Sequence, residues 1–278
     1  MRPVLSSIMN ENEITHPFST AFLSAFVFTP HVMPFTDIDI GKFDGDLTKY
    51  EQSYLNPDVE QSLISKNELL ASFAISKAEN SQLTLKEAQS VYDLLISDPT
   101  FDFIAKKLKS KGKLTQKDHD RLEFFNVVRT FRTFNQTKIV ISDLSPEFIL
   151  RIHQQLTQGM DIFGTYLSDF TVYKSGLWRD NDLIRVGDFV PAPFHQIEQG
   201  IIELIAWVKA HPTPTGIAVF HTALYALHPF NNGNKRVCRI LEHILLRCIG
   251  INTKNLYSTS YYYHTQKSRY YKYLLFSL

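Results

Sequence analysis

Nine residues, HPFNNGNKR from His228 to Arg236, bring together a candidate base, turn-forming asparagines, a glycine and two adjacent cations. They interrupt two apolar helical runs, AVFHTALYAL before and VCRILEHILL after. Asparagine and glycine stop helices, and Pro229 lacks a backbone donor, so packing alone does not call for this string. If a helix restarts at Asn234, its first N–H groups have no internal acceptor. They point back at the loop with the positive end of the helix dipole behind them. Gly233 lets a ligand approach the chain closely, and the whole is an anion cradle. Lys235 and Arg236 in that first turn oppose the dipole, so helix stability does not explain them; a bound polyphosphate would. Arg239 lies one turn further on the same face. His228, at the end of the preceding helix, is placed to take a proton from an attacking hydroxyl. Cradle, cations and base together suggest nucleotide phosphoryl or nucleotidyl transfer. Set against this, an Asn/Gly-rich loop between helices is usually only a loop.

The elements that must hold these residues read as helices. From about Val59 the pattern is helical, with Leu63, Leu69, Leu70, Phe73 and Ile75 near helical spacing. Thr84 with Glu87 forms a capping-box pattern, and Thr115 with Asp118 opens another run, in which Leu122, Phe125, Val128 and Phe131 recur. Ser145 and Pro146 suit an N-cap and first helical position. HQIEQGIIELIAWVKA is amphipathic, and Gly250 ends the helix that follows the central loop. Only FTVYKSG and DLIRVGDFVPAP read as strands, which predicts one β-hairpin in a mainly α protein. Residues 1–58 show no sustained period. The expected organisation is an N-terminal helical region over 1–114, a core over 115–250 and a C-terminal helical segment over 251–278.

Composition sets the outer limits. The 278 residues suffice for a real core, and 44% hydrophobic with 21% charged content is that of an ordinary globular chain. A formal charge of +1 gives no argument for a general nucleic-acid or membrane-surface binder. No apolar run reaches the ~18 residues of a membrane span. The start lacks a secretory signal, so the expected location is the cytoplasm. Cys238 and Cys248 fall on one predicted helix, about 15 Å apart at its rise per residue, too far to bridge.

HPFNNGNKRVCR resembles the Fic motif, HPF-x-(Asp/Glu)-GN-(Gly/Lys)-R-x-x-R. The chain is similar to that family well beyond the motif. AENSQLTLKEAQ resembles its inhibitory-helix segment, FGTYLSDFTVYKSG with FVPAP its flap hairpin, and STSYYYHTQKSRYYKYL the segment after the core. The resemblance implies a Fic-type helical core with a short hairpin flap. It implies an autoinhibited protein adenylyltransferase that moves AMP from Mg-ATP to a Ser, Thr or Tyr hydroxyl of a target protein. His228 would be the general base and Phe230 a core anchor. Gly233, Asn234 and the following amides would bind phosphates. Arg236 would grip the β/γ-phosphates, and Arg239 would bind the γ-phosphate or pair with an inhibitory glutamate, Glu79. Such a carboxylate would take the place and charge of a γ-phosphate.

Three positions depart from the family pattern. The metal-binding acid falls at Asn232, so the candidate Mg²⁺ ligand brings no charge. Lys235 stands where AMP-transferring members have glycine, as in the Doc branch, whose members can phosphorylate their target. Ile75 stands where the inhibitory motif has Ser or Thr. These departures keep two other readings open: a Doc-like protein phosphotransferase, and a catalytically weak nucleotide-binding interaction module. Self-modification, with the tyrosines at 261–263 and 270–271 as acceptors, and a homodimer are further expectations from the family. His221 reads as a core or supporting residue, because no acidic partner completes a zinc pattern around it.

Overall fold

The computed structural model of the chain describes residues 16–19, 24, 35–97, 100, 102–187 and 189–276. The described residues fold into eleven α-helices: α1 (Asp37–Tyr54), α2 (Pro57–Lys77), α3 (Leu85–Ser97), α4 (Phe103–Lys109), α5 (Gln116–Gln136), α6 (Pro146–Thr157), α7 (Ile197–Ala210), α8 (Pro214–Leu227), α9 (Asn234–Cys248), α10 (Thr259–Thr265) and α11 (Lys267–Phe276). The mainly α expectation holds. Helix starts follow the expected chemistry. Thr84 Oγ1 accepts from Glu87 N–H while Glu87 accepts from Thr84 N–H ahead of α3. Thr115 and Asp118 form a capping box for α5, and Ser145 with Pro146 opens α6.

The centre of the molecule is α8 packed on α9. Phe220, Ala223, Leu224 and Leu227 of α8 share one buried cluster with Val237, Ile240, Leu241 and Ile244 of α9, walled by residues of α5, α6 and α7. Each large apolar side chain buried there contributes about 1.5–3 kcal/mol, so the two helices that flank the central loop form a stiff frame. A second cluster joins α2 and α3 to α5 through Leu69, Val91, Leu95, Phe124 and Phe125. Between those helices Arg132 pairs with Glu68, which also accepts from the Tyr92 hydroxyl at 3.0 Å. This fixes the C-terminal half of α2 against the core.

Two features differ from the sequence reading. Helix α1 lies in the stretch without a period. It has a Thr36–Asp39 capping box, yet Ile38, Phe43, Tyr50 and Tyr54 stay exposed and its buried residues are Asp44 and Glu51. A helix without an inward apolar stripe carries no amphipathic signal. Polar bonds seat it instead: Asp44 accepts from the Asn252 N–H at 3.0 Å and the Tyr257 hydroxyl at 2.7 Å. Most of the remaining unread N-terminal residues lie outside the described ones.

The expected hairpin over FTVYKSG and DLIRVGDFVPAP forms no ladder among the described residues; the segment is loop with one antiparallel bridge, Val186–Phe189. Lys174, Gly176 and Gly187 take positive φ values of 49°, 74° and 60°, which interrupt an extended run. Backbone donors are also used elsewhere, Tyr173 N–H on Asp161 and Arg179 N–H on the Pro229 carbonyl.

Candidate functional site

The loop between α8 and α9 is held from four sides. Leu227 ends α8, and His228 takes a left-handed conformation, φ 50° and ψ 60°, uncommon for a residue with a side chain. Gly233 follows at φ 87° and starts α9 without a side-chain cap, so the first-turn amides of α9 keep their donors for another acceptor. Asn234 clamps the loop from within: its Oδ1 accepts from Phe230 N–H at 2.9 Å and its Nδ2 donates to the Phe230 carbonyl at 2.7 Å. Phe230 is fully buried, stacked on His153 with ring centroids 3.8 Å apart. The His153 ring accepts from Gly176 N–H at Nδ1, which leaves Nε2 to donate to the Asn232 carbonyl, 3.0 Å away.

Arg179, on the segment expected to be the flap, ties that segment to the loop. Its Nε donates to the His228 carbonyl at 2.8 Å, its backbone N–H to Pro229, and its remaining nitrogens to the Asn181 and Ala192 carbonyls. Burial, with the positive charges of Arg179 and Lys235 adding to it, pushes His228 down to about 3. The imidazole is therefore neutral at physiological pH and able to accept a proton.

The cations do not all pair as the resemblance suggested. Glu79, just past the end of α2, lies 3.7 Å from Lys235 Nζ and 3.9 Å from Arg236 Nε. The expected Glu79–Arg239 pair is absent. Arg239 donates to the Ala74 carbonyl at 3.1 Å and reaches Ser260 O at 3.5 Å. The reason is local: α2 passes over Arg239 one turn before its end, so a backbone carbonyl meets Arg239 and the acid falls on the turn of α9 before it.

Arg236 is fully buried, with a second carboxylate at hand that the motif does not contain. Glu123 Oε2 of α5 is 3.1 Å from Arg236 Nη1, Asn232 Oδ1 accepts from Nη2 at 3.3 Å, and the Tyr173 ring lies 5.3 Å from the guanidinium carbon. Burial pushes Glu123 up to about 8, against the pull of Arg236 and with Glu79 adding to the rise. Its Oε1 has no hydrogen-bond partner. Glu79, Glu123, Asn232, His119, Gln116 and Tyr173 line one cavity of about 330 Å³ beside the loop. Sequence reasoning missed Glu123 and Arg179. Glu123 sits at an inward position of α5, two residues before Phe125, and an acid at such a position was the available signal.

Among the described residues no three His, Cys, Asp or Glu side chains are grouped to hold a metal. Asn232 and Glu123 both line this cavity, and their oxygens are the donor type that suits a Mg²⁺ taking its other ligands from phosphate and water. His221, read as a core or supporting residue, is buried, with Glu242 Oε2 2.6 Å from its Nδ1. Cys238 and Cys248 are both free thiols. No described helix is long and apolar enough to cross a membrane.

The fold is that of Fic-domain proteins. The chain is similar in structure to a Fic family protein from Desulfovibrio desulfuricans G20, with a TM-score of 0.61, 18% identity and coverage of 88% of this chain and 67% of that one. It is also similar to a Fic-domain-containing signalling protein from Bacteroides thetaiotaomicron VPI-5482 (0.57, 17%, 86% and 80%) and to Fic-1 from C. elegans (0.56, 16%, 86% and 65%). No curated protein sequence matches the chain. Residues 143–246 match the model of the Fic/DOC family.

Proposed function

We propose that the chain is an autoinhibited protein adenylyltransferase acting on Mg-ATP. The observation that carries this reading is the placement of neutral His228 at the end of α8, five residues before the uncapped start of α9 at Gly233, with Lys235 and Arg236 in the first turn of α9. In the reaction, the His228 imidazole takes the proton of a target hydroxyl. The oxygen attacks the α-phosphorus, a P–O bond to the target forms, the bond to the β-phosphate oxygen breaks, and pyrophosphate leaves. The amides of the first α9 turn and Arg236 hold the phosphates. Asn232 and Glu123 would hold Mg²⁺, which supplies charge neutralisation on the phosphates when bound. Glu79 opposes this by occupying Lys235 and Arg236, the cations a polyphosphate would otherwise neutralise.

A second reading, phosphate transfer, rests on Lys235, which brings a cationic side chain where the α-phosphate cradle of AMP-transferring members has none. Intact-mass analysis of the chain and candidate target proteins after incubation with Mg-ATP separates these. Addition of AMP is the expected result; addition of phosphate supports the second reading, and an unchanged mass with measurable ATP binding supports an interaction module.

A further inference from the structure

Arg239 is held differently from every other cation of the loop. It is nearly inaccessible, yet among the described residues no carboxylate lies within ion-pair distance of its nitrogens. Its guanidinium carbon is instead 5.7 Å from the Tyr263 ring and 5.2 Å from the Tyr270 ring, and those rings stack with centroids 4.4 Å apart. The two tyrosines are themselves fixed from below. Tyr263 donates to Glu242 Oε1 at 2.7 Å, Glu242 Oε2 lies 2.6 Å from His221 Nδ1, and His221 Nε2 meets the Tyr270 hydroxyl at 2.8 Å. The chain of contacts closes on itself through the ring stack. It joins α8, α9, α10 and α11 beneath a single guanidinium.

We propose that Tyr263 and Tyr270 are positioning residues that hold Arg239 in place without neutralising it, so that it binds the terminal phosphate of a nucleoside triphosphate. Aromatic faces and carbonyl oxygens attract a cation but leave its full charge, unlike a carboxylate. Arg236, by contrast, already faces Glu123 and Glu79. Arg239 Nη1 is anchored on Ala74 and Ser260 while its buried Nε has no partner. A buried donor left unpaired is costly unless a ligand satisfies it, and a phosphate oxygen is the acceptor that suits a guanidinium. The two C-terminal helices thereby serve the nucleotide site directly. This rests on the reading of the α9 start as a polyphosphate site.

The test compares ATP with ADP, which lacks only the terminal phosphate, by titration calorimetry in the Glu79→Gly background. Arg239→Ala should weaken ATP binding and leave ADP binding near the parent value. Tyr270→Leu should do the same by about 5- to 30-fold, the worth of a desolvated cation–π contact. Tyr270→Phe, which keeps the ring, should stay within about threefold of the parent. Should Tyr270→Leu fail to fold, Tyr263→Leu carries the same test, since Arg239 faces that ring as well. If Arg239→Ala shifts the ATP/ADP ratio and the tyrosine variants do not, the positioning role is wrong while the phosphate reading stands. If Arg239→Ala leaves the ratio unchanged, the terminal-phosphate assignment itself fails, and the inference with it.

Discussion

Arg236 Nη1 lies 3.1 Å from Glu123 Oε2, and both side chains are withdrawn from water. The arginine of the motif is thus matched to an acid on α5, far outside the motif, before Glu79 is considered. Arg236 still keeps Nε and Nη1 without hydrogen-bond partners. The contact places the Glu123 carboxyl against the guanidinium while leaving hydrogen-bonding capacity for a ligand.

Glu123 should reveal itself by pH. Its folded-state value of about 8 lies above the ordinary 4.5, so the folded chain binds more protons between those limits. Its contribution to stability is full below about pH 4.5 and is lost as pH rises through 8. Glu123→Gln mimics the protonated acid. Its melting temperature, relative to wild type, should rise between pH 5 and 8.5 by at least about 2–4 °C, the equivalent of about 1 kcal/mol in a chain of this size. A pH-independent difference would place the ionised acid, not the neutral one, beside Arg236.

Removing Glu79 should act through Lys235 and Arg236. Both contacts are long and Glu79 is partly solvated, so Glu79→Gly should tighten ATP binding only by about 3- to 10-fold, with a matching rise in transfer. A double-mutant cycle with Lys235→Ala should show coupling, and one with Arg239→Ala should show less. Strong coupling to Arg239 would restore the pairing the family resemblance suggested.

His228→Ala should reduce transfer by about 10²–10⁴ while ATP binding persists, since the proposed phosphate site is the start of α9 and not His228. Single-turnover rates and ATP affinity measured on the same variant check this. Wild-type transfer rates in the variant remove His228 as the base.

Asn232 and Lys235 are best changed in the Glu79→Gly background. Asn232→Asp should lower the Mg²⁺ concentration for half-maximal activity by adding a charged oxygen. Lys235→Gly should favour AMP over phosphate transfer. Product mass across a Mg²⁺ titration reads both. An unchanged Mg²⁺ dependence would mean that the metal is not held at Asn232.

Acid should destabilise the chain through buried neutral histidines. Burial holds His153, His228 and His243 down to about 3 each, against an ordinary 6.5. The unfolded chain therefore binds more protons between those limits. The stability tied to these groups is present above pH 6.5 and is lost as pH falls toward 3. Denaturant midpoints at pH 7 and 5 should show the loss, and His243→Gln should make it shallower. An identical slope in His243→Gln would mean that His243 is not held neutral.

Much of this was legible from residue order. HPFNNGNKR marked the helix break, the restart at Asn234 and the two first-turn cations, because capping, turn residues and the helix dipole are local effects. The capping pairs at Thr84, Thr115 and Ser145 were readable for the same reason. Helix α1 was not, because Asp44 and Glu51 face inward and its apolar residues face out. The hairpin forms no ladder among the described residues: β-branched residues favour strands, whereas the positive φ of Lys174, Gly176 and Gly187 and the reach of Arg179 to the loop interrupt them.

What the sequence determined by itself was the local character of the loop: a histidine at a helix end, a helix restart after Gly233 and cations on one face. Which acid meets which cation was decided by tertiary packing alone. Glu123 reaches Arg236 because α5 packs across the start of α9. Glu79 reaches Lys235 and Arg236 because α2 runs on about one turn past Ala74, whose carbonyl meets Arg239. Arg239 rests on Tyr263 and Tyr270 because α10 and α11 fold back over α8 and α9. These ion pairs depend on distances of a few ångströms between residues 113 to 157 positions apart in the chain, and no local pattern encodes those distances.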